Sequence, residues 1–479
     1  MLSVLRLMHG DSAVRDWAWE EFGHAVLGDQ RRTMRLVRMA AAAAARPASR
    51  PPEVFQTSAE RQGAYDFIDN DKVPCSALTE AMCKATACRA SAYSTVFVAV
   101  DGSAVSVTDR TGNKGMGNVG STAQGGRGLK VLTAYAVSED GTPLGVTSQR
   151  WWARKSGKKR HDRAKRKVNE KETSHWLKAI VESREVLGQH AGATRPWFVL
   201  DREADNRHQL ELLARLEGSY FSVRSSSDRR LVDENGKAGL IEHLRKQAPL
   251  GSYFVEVPGG HGRTARRARL VVRATTVTLR LRDSWTKKLT PLKINVVEAR
   301  EEQTVPHGEK AVEWRLLTNA PVDDFGDSER VIFSYAQRWR IEEFHKTWKS
   351  GACDVESCQL RKRDNVIRWA TILAATAARI ERLKVRSRNE PTLPADIEFT
   401  QHEIRAIILL KRRHKKRTET IDDTMPSLSQ ATLWLAELGG YTGKSSGGPP
   451  GSITIRRGLE YIKPVALLLD TRAEADEIR

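Results

Sequence analysis

Val96-Phe97-Val98-Ala99-Val100 runs straight into Asp101, and a second run, Trp197-Phe198-Val199-Leu200, runs straight into Asp201. Neither run alternates with polar residues, so each suits a central strand buried on both faces. Strand ends are also where open α/β sheets present their functional groups. Between the two runs, residues 129–137 and 144–149 read as further strands, and residues 173–187 as a helix returning to the second aspartate. The predicted layout is mixed α/β.

Further along, residues 220–319 carry alternating strand patterns at 253–257, 268–281, 294–299 and 312–317, with basic loops between them. This block reads as a β-rich insertion. After Asp327 one long helical pattern runs to Lys349 and a second covers 364–383, before the Pro-containing segment 389–394 marks a boundary. A helical region with a Gly/Ser/Pro-rich loop at 443–452 completes the chain. On the N-terminal side, residues up to 75 are helix-rich, carry an alanine run at 40–45 and stop at the Pro-containing stretch 46–52. They read as a small separate domain. Within it, Asp29 can cap a helix on which Arg31, Arg35 and Arg38 recur at i, i+4 and i+7, which makes one basic stripe or simply a solvated face. The expected domains are therefore 1–75, 76–385 and 386–479.

A chain of 479 residues can bury a sizeable core and is too long for a single one. Its 79 Lys+Arg against 59 Asp+Glu leave a net charge of +20, with a pI near 9.9. That balance calls for a polyanionic partner: DNA, RNA or an anionic membrane surface. No window approaches the ~18–20 uninterrupted apolar residues of a membrane span, and residues 1–10 lack the layout of a signal peptide, so a soluble cytoplasmic protein is expected. The five cysteines (Cys75, Cys83, Cys88, Cys353, Cys358) form no CxxC pair. Neither a disulfide framework nor a zinc ribbon is supported.

Cutting or joining phosphodiesters commonly uses divalent metals held by a few carboxylates, which activate the attacking oxygen and stabilise the leaving one. Asp101 and Asp201 are the first two candidates. Glu203 and Asp205 compete with Asp201, which directly follows its apolar run; Asp109 competes with Asp101 but lies in a polar, Gly-rich stretch. The third candidate sits in Tyr335-Ala336-Gln337-Arg338-Trp339-Arg340-Ile341-Glu342-Glu343-Phe344-His345-Lys346-Thr347-Trp348-Lys349. On one continuous helix at ~100° per residue, Tyr335, Arg338, Glu342 and Lys349 fall within about 60° of arc. One face then offers a carboxylate among phosphate-binding groups, with Lys349 ~10 Å along the axis from Glu342. For charges alone, an exposed salt-bridged face is the plainer reading.

The spacing Y-x2-R-x3-E-x6-K resembles the signature of the insertion-sequence-four family of bacterial transposases, and RWRIEEFHKTWKSG resembles its transposon-five branch in particular. LGDQRRTMRLV, GAYDFIDN, VDGSAVSVTD, LDREAD, EWRLLT and WLAELGGY resemble that branch in the same order along nearly the whole chain. The resemblance implies a ribonuclease-H-like core with a β-rich insertion, flanked by helical N-terminal and C-terminal domains. It implies that Asp101, Asp201 and Glu342 are catalytic acids holding two Mg²⁺ or Mn²⁺ ions, with Tyr335, Arg338 and Lys349 on phosphates and Arg340 counted among the DNA contacts. Trp314 would stack a base flipped out of the transposon end, although a tryptophan on a strand also suits a core. Arg31, Arg32 and Arg35 would read end DNA, and the C-terminal domain would pair two protomers in a synaptic homodimer. The implied activity is cut-and-paste transposition, in which one site nicks, forms and opens a hairpin and joins the end to target DNA, in a bacterial, nucleoid-associated setting.

The sequence also departs from that branch. Gly102 and Ser103 follow the first acid where the relative has hydroxyl residues, and residues 155–167 are densely basic where it is more acidic, which suggests extra contact with DNA. Residues 411–417 could add to the same surface, although a solvated basic loop is the plainer reading. Two rivals use the same residues: a nuclease that hydrolyses without joining, and an inactive DNA binder. RNA as the partner is weaker, because no RNP-type aromatic motif is present.

Overall fold

The computed structural model describes residues 13–477 apart from 110–111, 113, 121–125, 155–170, 233–238, 261, 284–285, 416, 418 and 445–447. The basic loop 155–167 and part of the run 411–417 lie outside the described residues, as does part of the loop 443–452.

In chain order, helices α1 (Ala13–Phe22), α2 (Gln30–Ala45), α3 (Pro51–Val54), α4 (Ser58–Ile68) and α5 (Cys75–Ala90) precede strands β1 (Thr95–Ser106), β2 (Gly117–Asn118), β3 (Arg127–Ser138) and β4 (Pro143–Trp152). Helix α6 (Thr173–His190) leads to β5 (Arg195–Leu200), α7 (Arg207–Arg215) and β6 (Tyr220–Arg224). Next come α8 (Leu240–Arg245) and strands β7 (Gly251–Val257), β8 (Arg266–Arg282), β9 (Leu289–Glu301) and β10 (Glu313–Thr318). The chain closes with helices α9 (Phe325–Ala336), α10 (Trp339–Lys349), α11 (Arg363–Asn389), α12 (Gln401–Arg413), α13 (Leu428–Leu438) and α14 (Ser452–Glu477).

All ten strands form one sheet in the order β2-β3-β1-β5-β6-β10-β9-β8-β7, with β4 also paired to β3. Strand β3 runs antiparallel to both β1 and β4, whereas β5 and β6 run parallel to β1, an order consistent with a ribonuclease-H-like core. Strands β7 to β10 extend this sheet beyond β6, as the alternating patterns in 220–319 predict.

Side-chain alternation splits the core in two. Val96, Val98, Val100, Phe198 and Leu200 face one side, under α6. Phe97, Ala99, Trp197 and Val199 face the other, where α9 supplies Val331 and Ile332, α10 supplies Ile341, Phe344 and Trp348, and α11 supplies Trp369. A third core, built from Phe399, Ile407, Trp434, Leu435 and Ile455, belongs to α12, α13 and α14 with the end of α11.

Three details differ from the sequence reading. Asp101 is not at the end of its strand: the antiparallel ladder to β3 continues from Asp101↔Thr133 to Ser106↔Gly128, although the parallel ladder to β5 stops at Val100↔Leu200. The single helix expected before Lys349 is two, α9 and α10, because the amides of Arg338, Arg340 and Ile341 bond three residues back, tightening the chain at Gln337 and Arg338. The N-terminal helices do not form a core of their own. Trp369 Nε1 donates to Ser49 O at 2.7 Å and Arg368 donates to the carbonyls of Val73 and Ile68, so α11 satisfies the backbone ends of the N-terminal segment within one shared core.

Candidate active site

Asp101 and Asp201 each follow the last residue of the parallel pair Val100↔Leu200, so they sit side by side where the two strands stop pairing. By alternation Asp101 shares the face of Phe97 and Ala99, on which α10 packs. Helix α10 is fixed there by its apolar side: Trp348 is fully buried with its Nε1 donating to Ala370 O at 3.0 Å, and Phe344 stacks on Tyr135 at 4.7 Å. That anchoring turns Glu342 toward β1.

Arg338 joins the two acids. Its Nη1 donates to Glu342 Oε1 at 3.2 Å and lies 3.7 Å from Asp101 Oδ2. Burial pushes the Asp101 carboxyl up to about 7; the charge of Glu342 adds to this, Arg338 opposes it, Asp201 adds again, and the Gly102 amide, donating at 2.8 Å, opposes it. A group of acids crowded enough to hold one of them protonated is a donor set that a divalent cation would relieve, and carboxylate oxygens are the hard ligands Mg²⁺ and Mn²⁺ take.

Among the described residues, the metal-binding side-chain types whose ligand atoms all fall within 4.8 Å of one another are Asp101, Glu342 and His345. Asp201 stands outside that group, with its Oδ1 accepting from Glu203 N at 2.8 Å, yet near enough for its charge to act on Asp101. The competitors of the two aspartates have other partners. Asp109 is buried against Arg127 at 3.1 Å, and buried Asp205 pairs with Arg229 and accepts from Ser226 N at 2.7 Å. Glu203 is exposed.

The remaining expected residues divide into near and far. Tyr335 is buried with its ring edge-on to half-buried Trp314 at 6.0 Å. Lys349 lies 3.6 Å from Glu356, whose carboxylate also accepts from Ser106 N at the end of β1. Arg340 is turned elsewhere: it pairs with Glu343 at 2.9 Å and lies against the turn at Gly141. On α2, Asp29 caps the helix by accepting from Arg31 N at 2.8 Å; the Arg31 side chain is 93% exposed, whereas Arg32 donates to Leu27 O and Arg35 is half-buried beside Gly63.

Sequence reasoning passed over His345. The available signal was Glu342-x-x-His345, since a carboxylate and an imidazole at i and i+3 share one helix face.

Residues 14–73 match the family model described as transposase DNA-binding. The match takes in α1, α2 and α4, including Arg31, Arg32 and Arg35. It supports a transposase DNA-binding domain on this chain and, with it, a DNA transposase. No helix among the described residues is long and apolar enough to cross a membrane.

Proposed function

We propose that this chain, a DNA transposase by its N-terminal domain, works by cut-and-paste transposition on an acidic triad of Asp101, Asp201 and Glu342, as the insertion-sequence-four family does. The observation that carries this reading is the convergence of Asp101 and Glu342 on the Arg338 guanidinium, from opposite ends of the catalytic region. Nothing in DNA binding alone requires carboxylates brought together in this way, whereas metal-dependent phosphoryl transfer uses such a cluster.

Asp101, Asp201 and Glu342 would hold two Mg²⁺ or Mn²⁺ ions, which when bound lower the pKa of an attacking hydroxyl and stabilise the departing oxyanion. The side chains of the chain itself position the DNA. Arg338, whose charge burial opposes and the flanking acids Asp101 and Glu342 favour, can fork onto a backbone phosphate when the acids take a cation. Lys349 offers a point charge one helix length away, and the Trp314 ring offers a flat face for a base displaced from the end. The proposed sequence is nicking, hairpin formation, hairpin opening and joining, each an in-line transfer at the same site. The proposed partners are transposon-end DNA, target DNA and a second protomer, in the cytoplasm of a bacterial cell at the nucleoid.

Joining of pre-cut transposon ends to a target plasmid, followed by gel analysis for strand-transfer products, tests the reading. Joined product with Mg²⁺ or Mn²⁺ is expected. Hydrolysis of the same ends without joining would replace transposase with nuclease.

A further inference from the structure

His345 sits one turn after Glu342 on α10 with only 5% of its surface exposed. Its Nε2 is closed off from solvent and has no hydrogen-bond partner among the described residues. A buried polar atom left this way is costly and calls for a partner. The ring is not loose filler, because it lies between the Phe344 ring at 5.5 Å and the Trp348 ring at 6.4 Å, both part of the core that fixes α10. One of its nitrogens shares the 4.8 Å cluster with carboxylate oxygens of Asp101 and Glu342.

Further unpaired polarity lies in the same cross-strand row. Asp101 is the register partner of Thr133, and Thr133 that of Gln149. Thr133 Oγ1 and both amide atoms of Gln149 are buried without partners.

We propose that His345 is a nitrogen ligand of the cation held by Asp101 and Glu342, and that this nitrogen makes the site favour Mn²⁺ over Mg²⁺. The proposal rests on the metal-dependent reading given above and adds to it a ligand outside the acidic triad. Donors about 2.1 Å from one ion lie at most ~4.2 Å apart, so the 4.8 Å cluster closes on a cation with side-chain movements of a few tenths of an ångström. Imidazole raises affinity along the first-row series and does little for Mg²⁺, which prefers oxygen and water. Here α10 supplies an acid and an imidazole from one face and β1 supplies the second acid. The aromatic packing around His345 sets the position of the ring without requiring another hydrogen bond.

The test is pulsed electron paramagnetic resonance on the full chain with bound Mn²⁺, in the absence of DNA. Wild-type protein should show nitrogen modulation from one imidazole, and protein grown with ¹⁵N-histidine should show the same coupling with the ¹⁵N signature, which requires no substitution. His345→Gln should lose the coupling and bind Mn²⁺ at least ~10-fold more weakly, with a much smaller change for Mg²⁺. Mn²⁺ bound to wild type without nitrogen coupling, or coupling that persists in His345→Gln, would overturn the assignment while leaving the acidic site standing. Absence of protein-bound Mn²⁺, or binding indifferent to Glu342→Gln, would instead remove the metal site on which the proposal rests.

Discussion

Replacing Asp101 with asparagine should stabilise the metal-free protein at high pH while abolishing its chemistry. The carboxyl ordinarily titrates at 3.8 and in the fold at about 7. Between those values the folded chain holds a proton that the unfolded chain has released, so stability from this group is complete below 3.8 and is lost as the pH rises through about 7. At ~1.4 kcal/mol per tenfold change in proton affinity, the whole displacement corresponds to about 4 kcal/mol. About 2 kcal/mol of that falls between roughly pH 5.5 and pH 8.5, a range in which melting is practical. A chain of this length moves ~1–2 °C per kcal/mol, so in EDTA the melting temperature of Asp101→Asn should rise relative to wild type by about 2–4 °C over that interval. Adding Mg²⁺ should narrow the gap by stabilising wild type alone, since a ligand bound only by the folded state adds its binding energy to stability. A difference between the two proteins that does not change with pH would refute the idea that Glu342, Asp201 and burial crowd this carboxyl.

Trp348→Ala should destabilise the fold by about 3–5 kcal/mol, because it removes a fully buried ring and the hydrogen bond to Ala370; chemical denaturation measures it, and a loss under 1 kcal/mol would mean that α10 is anchored otherwise. Arg338→Ala should lower cleavage by roughly 10²-fold with end binding retained, and equal losses in binding and cleavage would place its role in docking alone. Arg31→Ala should leave the melting temperature unchanged, weaken binding of end DNA and reduce the salt slope of binding by about 1, as measured by fluorescence anisotropy over a salt series; an unchanged slope would remove Arg31 from the DNA contact.

The central strands were legible because both faces of β1 and β5 are covered, which leaves an uninterrupted apolar run before each aspartate. The choice of Asp101 over Asp109 and of Asp201 over Asp205 followed from the same runs. What the sequence could not display is that the two competitors are paired with Arg127 and Arg229, partners that only the folded chain brings near. The periodicity of residues 335–349 correctly put Arg338 and Glu342 together. It could not reveal the tightening at Gln337 and Arg338, because residues 335–341 carry no Gly or Pro to mark a break in the helix. Nothing in the sequence signals that Arg340 pairs with its neighbour Glu343 rather than with the acids that Arg338 joins. His345 was hidden among aromatic neighbours, where a histidine reads as core until the fold sets Asp101 beside it. The N-terminal helices looked separate because Trp369 and Arg368, which tie them to α11, lie about three hundred residues away.

Cleavage of a donor plasmid carrying terminal inverted repeats, incubated with Mg²⁺ and either wild-type protein or Glu342→Ala, tests the central claim most directly. Hairpinned or blunt excised ends from wild type, none from the variant, and end binding retained by both are the predicted results. Binding without cleavage by wild type under Mg²⁺ and Mn²⁺ alike, or cleavage that survives the loss of Glu342, would contradict the assignment of Asp101, Asp201 and Glu342 as the acids that cut DNA.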